Sequence, residues 1–204
     1  VVDAVYSSCC GGHTQDNIFG KGAPAVPYFQ GIPDTLSRPD TEFPLSPADL
    51  ERWLKYPPDY IVCNIPEYAR ASNFRWVRVY TAEEMDSLAA KLADMGKVSK
   101  IIATKRNDSG HISELKLVGA RSSYLIEKEL NIRKALGNLR SSMFKVEIKY
   151  GRDNIPEQFI FYGGGWGHGV GMCQAGACGM AKSGRVFQEI LTHYFNKVEL
   201  KKIY

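Results

Sequence analysis

Apolar and polar positions along this 204-residue chain follow two periods, and the switches between them mark its elements. Val1 to Tyr6 alternates weakly and reads as a strand. Leu50, Trp53 and Leu54 share one helical face behind Ser46-Pro47, so a helix starts with Ser46 as N-cap and Pro47 in its first turn, and Pro57-Pro58 stops it. Phe74 to Tyr80 alternates and predicts a strand. Thr81-Ala82-Glu83-Glu84 has the form of a capping box, and the helix it opens carries Met85, Leu88, Leu92 and Met95 at helical spacing up to Gly96. Val98 to Lys105 and His111 to Val118 predict a hairpin; Met143 to Tyr150 and Glu157 to Tyr162 predict a second. Ser123 to Ile126 reads as a short strand, Glu127 to Leu136 as a helix closed by Gly137, and Val186 to Phe195 as the last helix. Hairpins with helices packed on them predict an α+β fold with antiparallel or mixed sheet. The chain is long enough for one domain over 1–204, with a sub-lobe over 45–97.

Two stretches fit neither period. Phe19 to Pro44 spreads five prolines among Gly and Asp, a long irregular excursion of the kind that wraps a surface or serves function. Gly163 to Lys182 holds eight glycines with Trp166, His168, Gln174 and two cysteines. Each glycine weakens a helix or strand by roughly 0.5–1 kcal/mol relative to alanine, so 163–171 reads as backbone that bends sharply or approaches something closely. Small residues from Met172 to Lys182 then predict a helix, giving a strand–turn–helix motif with Trp166 and His168 displayed in the turn.

Composition narrows the classes. Hydrophobic content of 44% and charged content of 24% are those of an ordinary globular protein. The net charge of +4 suits an anionic polymer or an envelope surface, but basic blocks interleaved with aromatics are missing, which argues against nucleic acid. No apolar run approaches the ~20 residues of a membrane span. A chain that opens in a strand without an initiator Met or a leader reads as a fragment or a processed product. Of the five cysteines, Cys9 and Cys10 are vicinal and rarely bond each other, and Cys173 and Cys178 diverge on one helix. Disulfides linking the N-terminal loop, Cys63 and the Gly-rich region are the favoured reading in an oxidising compartment. The competing one is zinc on Cys10 and His13, completed by His168 or Cys173.

Gly165-Trp166-Gly167-His168-Gly169-Val170-Gly171-Met172, with Gln174, Gly176 and Gly179-Met180-Ala181 after it, closely resembles the C-terminal signature of the SpoIID/LytB family, which includes stage II sporulation protein D and the amidase enhancers. Ser7 to Thr14 resembles that family's His-Ser-x-x-Gly-Gly-x-Thr loop, with Ser7 in place of His. Ile126-Glu127-Lys128-Glu129 through Leu139-Arg140-Ser141-Ser142-Met143-Phe144, and His193-Tyr194-Phe195, resemble two further landmarks in the family's order. The resemblance implies a bacterial, extracytoplasmic or secreted cell-wall protein. Its partners would be peptidoglycan glycan strands, a cell-wall amidase, or its own N-terminal segment, with no cofactor beyond the zinc considered above.

The implied activity is lytic transglycosylation of glycan stripped of stem peptides; the alternative is a non-catalytic amidase enhancer or wall-binding module. Such cleavage takes one carboxylic acid, which the family carries in a Glu-x-Tyr-Leu-x-Gly-Val-Val-x-x-Glu-Met segment ahead of the Gly-Gly loop. Glu42, Glu51 and Glu67 lie in other contexts, so the resemblance places the acid on sequence before Val1 and names no catalytic residue within the chain. Substrate-binding candidates are Ser7, Ser8, Gly11, Gly12, His13, Thr14, Trp166, His168 and Gln174. Trp166 offers a face for a sugar ring. His168 offers a general acid/base or a hydrogen-bond donor to sugar hydroxyls or N-acetyl groups, or else fixes neighbouring backbone; Gln174 offers an amide to an N-acetyl group or to the loop backbone. Arg75, Arg78 and Arg140 could face an anionic substrate, with a solvated face as the default reading.

Overall fold

A computed structural model describes residues 1–16 and 26–203, so the part of the Phe19–Pro44 excursion before Val26 lies outside the described residues. In chain order the elements are β1 (Tyr6–Ser7), α1 (Pro47–Lys55), α2 (Ala71–Phe74), β2 (Arg75–Thr81), α3 (Ala82–Ala90), β3 (Val98–Arg106), β4 (Ile112–Gly119), β5 (Ser123–Glu127), α4 (Glu129–Ala135), β6 (Phe144–Tyr150), β7 (Pro156–Gly164), β8 (Met172–Cys173), α5 (Gln174–Lys182) and α6 (Phe187–Tyr194). The fold is α+β. Two antiparallel three-stranded sheets run β2-β7-β6 and β3-β4-β5, and a short parallel pair joins β1 to β8.

Local chemistry accounts for the helix starts. Ser46 Oγ accepts the Asp49 N–H at 3.1 Å, with Pro47 in the first turn. Thr81 and Glu84 exchange both bonds of a capping box, at 2.9 and 3.2 Å. α3 is shorter than its apolar spacing predicts. It ends at Ala90 because residues 91–95 turn inward: Met95 is 1% exposed, and its carbonyl accepts the Arg121 N–H at 2.8 Å. Gly119 makes room, since a Cβ there would lie 2.2 Å from that carbonyl oxygen. The strand expected over Val1–Tyr6 shrinks to Tyr6–Ser7, because its partner β8 is itself only two residues long.

Two hydrophobic cores result. One packs α1 with the irregular segments, the Gly-rich stretch and α6, through Trp53, Leu54, Ile61, Val170 and Tyr194. The other lies between the two larger sheets and α3 and α4, through Met85, Leu115, Leu117, Ile132, Phe144, Phe159 and Phe161. Of the stretch 45–97, α1 joins the first core and α3 the second. Strand β7 bridges them. It pairs with β2 and β6 on its two sides, with Gly163 opposite both Trp76 and Phe144, and its end delivers Gly164 and Gly165 to the first core. No described helix is long and apolar enough to cross a membrane.

Candidate functional site

The Gly-rich turn and the N-terminal loop lie backbone against backbone. Cys9 and Trp166 exchange both N–H···O bonds, at 3.1 and 2.8 Å. Gln15 donates its N–H to Gly169 O at 2.8 Å, Met172 donates to Val5 O at 3.0 Å, and Ala175 donates to Ser8 O at 3.1 Å. Glycine permits this approach at two positions above all. Gly11 (φ +78°) and Gly165 (φ +82°) face each other across the seam; a Cβ on Gly11 would sit 2.9 Å from Gly164 C, and one on Gly165 2.9 Å from Cys9 O.

Several candidate residues maintain this seam. Ser7 and Thr14 are buried; Thr14 Oγ1 accepts the Ile32 N–H at 2.9 Å, while Ser7 Oγ has no hydrogen-bond partner. Gly12 lies where a Cβ would strike the Trp53 ring at 2.5 Å. His13 is buried, donates from Nδ1 to Thr14 O at 2.6 Å and packs on Phe43, with ring centroids 4.1 Å apart. Burial pushes its pKa down to about 4. His168 Nδ1 accepts the Val170 N–H at 3.0 Å, and burial lowers its pKa as well. Gln174 is exposed at the start of α5. Gln15, which the sequence reading passed over, clamps the turn: its amide donates to His168 O and accepts from Asn107 Nδ2 at 2.6 Å.

Trp166 is displayed, with 39% of its surface exposed. The Arg140 guanidinium lies over its ring, 4.6 Å from the centroid, so Arg140 is engaged rather than merely solvated. Arg140 Nη1 donates to Asn73 Oδ1 at 3.3 Å, and Asn73 Nδ2 donates to Ser8 Oγ at 3.4 Å, which ties the N-terminal loop to the Trp166 face. Trp166 and Arg140 line a groove of about 560 Å³ that also carries Trp76, Arg78, Arg133 and Lys134. Four basic side chains and no carboxylate are among its lining residues. Glu129, beside it, is 9% exposed and pairs with Arg133 at 3.4 Å; burial raises its carboxyl above the ordinary value. Arg133 and Lys134 carried no signal of their own in the sequence, and Glu129 only as part of the Ile126–Phe144 resemblance; helix α4 brings them to the groove.

Behind the seam, all five cysteines are free, so the expected segments meet through thiols rather than a disulfide. Cys10, Cys63 and Cys173 converge with Asp34, and these four are the described side chains grouped closely enough to share a metal ion. His13 stands outside the group. Burial pushes the Asp34 carboxyl up to about 8 and raises the Cys10 and Cys63 thiols. Burial also acts to raise Cys173, but hydrogen bonds from its neighbouring thiols and from the Cys10 N–H outweigh it and pull that thiol down.

Residues 25–171 match the family described as Domain of unknown function (DUF8618). The chain is 25% identical over 210 residues to an uncharacterized protein of Brachyspira hyodysenteriae, covering 98% of this chain and 43% of that protein. It is 26% identical over 204 residues to stage II sporulation protein D of Bacillus amyloliquefaciens, covering 98% of this chain and 45% of that protein. The chain thus spans less than half the length of these curated relatives.

Proposed function

Because the chain belongs to the DUF8618 family, whose description names no activity, we propose its function from the groove and from the likeness to stage II sporulation protein D: it binds peptidoglycan glycan strands at the bacterial cell envelope. The observation that carries this is the half-exposed Trp166 ring on the rim of a cationic groove. An indole face stacks on the apolar face of a sugar ring. Each muramic acid that has lost its stem peptide bears a free lactyl carboxylate, and Arg78, Arg133, Lys134 and Arg140 supply opposite charge along the same groove. A stripped glycan strand matches both features.

As part of a longer polypeptide, the protein acts as a lytic transglycosylase on this stripped glycan. A carboxylic acid protonates the glycosidic oxygen; as its carboxylate then takes the proton of the muramic acid 6-hydroxyl, that oxygen closes on the anomeric carbon and leaves an anhydro end. We assign the acid to sequence outside this chain.

The test incubates the full-length protein with glycan stripped by an amidase and with peptide-bearing peptidoglycan, then measures binding and looks for anhydro-muramic ends by mass spectrometry. The expected result is preference for the stripped strand, anhydro ends, and binding weakened about five- to thirty-fold by Trp166→Ala, as a loss of 1–2 kcal/mol dictates. No binding to either material refutes the reading. Binding without anhydro ends reduces it to a wall-binding or amidase-enhancing module. Loss of cleavage on Glu129→Gln with binding intact would move the acid into this chain.

A further inference from the structure

The cluster behind the seam has no part in holding a sugar. Its members come from four separated stretches: Cys10 from the N-terminal loop, Asp34 and Cys63 from the irregular segments on either side of α1, and Cys173 from the end of the Gly-rich turn. Their sulfur and carboxylate atoms all lie within 4.8 Å of one another, and each residue is at most 1% exposed. We propose that Cys10, Cys63, Cys173 and Asp34 bind one zinc ion in a closed tetrahedral site that fastens the Gly-rich turn to the N-terminal loop.

The spacing fits. Zinc–sulfur bonds of about 2.3 Å at tetrahedral angles put neighbouring sulfurs about 3.8 Å apart. Cys10 Sγ and Cys63 Sγ are 3.9 Å apart, and Cys10 Sγ is 3.2 Å from Asp34 Oδ2. The donor set of three sulfurs and one oxygen selects zinc over the hard cations magnesium and calcium. Four protein ligands with no exposed face match a structural site rather than a catalytic one, which keeps a position open.

Backbone N–H groups are aimed at two of the sulfurs. The backbone N–H groups of Cys10 and Gly176 donate to Cys173 Sγ, both at 3.2 Å, and Gly12 N–H donates to Cys10 Sγ at 3.4 Å. Cys173 is also the N-cap of α5, at the positive end of that helix. Tyr194 donates its hydroxyl to Asp34 Oδ1 at 2.5 Å, which orients the carboxylate and leaves Oδ2 facing the sulfurs. Such outer partners fix ligand geometry at metal centres. The partly buried Arg75 guanidinium, held by Gly11 O, Trp53 O and Phe74 O, adds a cation close to a centre whose four anionic ligands exceed the zinc charge. Binding is an exchange of protons for metal: each thiol gives its proton to solvent as it becomes a ligand, and so does Asp34 where it is protonated.

The test is elemental mass spectrometry of the full-length protein purified under reducing conditions without chelator. The expected value is about one zinc per chain, retained by Cys178→Ser, whose thiol is exposed and outside the cluster. Cys63→Ser and Asp34→Asn should each lower it at least about ten-fold. Where those variants fail to fold, cobalt(II) added to the metal-stripped wild type carries the test. A one-to-one endpoint with sulfur-to-cobalt charge-transfer and tetrahedral d–d bands, displaced by zinc, upholds the site. Fully reduced protein with five titratable thiols, no zinc and no cobalt spectrum overturns it. Zinc retained at one per chain by folded Cys63→Ser also overturns it. Glycan binding is measured separately, so either proposal can fail alone.

Discussion

Lowering the pH from 7 to 5 weakens this fold through His111, and its surroundings set the size of the effect. The ring is 1% exposed, Nδ1 lies 2.9 Å from Ser109 Oγ, and Nε2 has no hydrogen-bond partner. Burial first, then the charges of His13, Arg106, His168 and Arg133, hold its pKa down from 6.5 to about 3. A folded pKa below the unfolded one means that the unfolded chain binds the proton more readily. The stability is therefore fully present above the unfolded pKa of 6.5 and is lost as the pH falls from there toward 3. At pH 5 the unfolded imidazole is protonated about thirty to one while the folded ring stays neutral, a penalty of about 2 kcal/mol. His111→Asn keeps a polar partner for Ser109 and removes the titration. Urea unfolding of both proteins at pH 7 and pH 5 gives four stabilities, and wild type should lose about 2 kcal/mol more than the variant between them. Comparing the two losses cancels the other titrating groups, His13 and Asp34 included. Equal losses would refute the assignment. The effect reaches the Gly-rich turn, because a Cβ at Gly169 would lie 3.1 Å from His111 Nε2, so a proton placed there sits against the motif.

Two further outcomes follow from the seam and the groove. Gly165→Ala adds a Cβ 2.9 Å from Cys9 O at φ +82°, and should cost about 2–4 kcal/mol from the left-handed conformation and the overpacking together; a urea midpoint that moves by less than the equivalent of about 0.5 kcal/mol would contradict the close approach. Raising salt from about 50 to 500 mM should weaken binding to stripped glycan, because the groove attracts through partly exposed cations, and Arg140→Ala should flatten that dependence. A salt-independent affinity in wild type would remove the charge argument.

Features governed by neighbours in sequence were legible from it. Ser46-Pro47 and Thr81 to Glu84 announce helix starts through bonds that span three residues, and both hairpins are closed by their own turns. The Gly-rich turn was legible as a close approach because its composition is too costly for regular structure. What it approaches was not, since the Cys9–Trp166 pair joins residues more than 150 positions apart. Asp34 and Tyr194 carry no local signal for the thiol cluster; one lies in a proline-rich stretch and the other on an amphipathic helix, and only the folded chain sets them 2.5 Å apart. Cys-x-x-His spacing pointed to His13; its Nδ1 donates to Thr14 O, its ring packs on Phe43, and the described side chains grouped with Cys10 are Asp34, Cys63 and Cys173. The end of α3 was misplaced for a similar reason: a distant N–H, that of Arg121, takes the Met95 carbonyl.

The pairing of residues 5–15 with residues 166–175 also dictates an order of assembly. The sheets β3-β4-β5 and β6-β7 form between neighbours and close short loops, whereas the seam must close a loop of about 160 residues. A ribosome releases the Gly11-Gly12 loop well before residues 166–175, its partner in the seam. Until then, the thiols of Cys9 and Cys10 and the backbone donors of that loop are open to water and to oxidants. The seam, rather than the sheets, is thus the contact that waits longest for its partner during synthesis, and the Cys9–Cys10 loop stays uncovered until then.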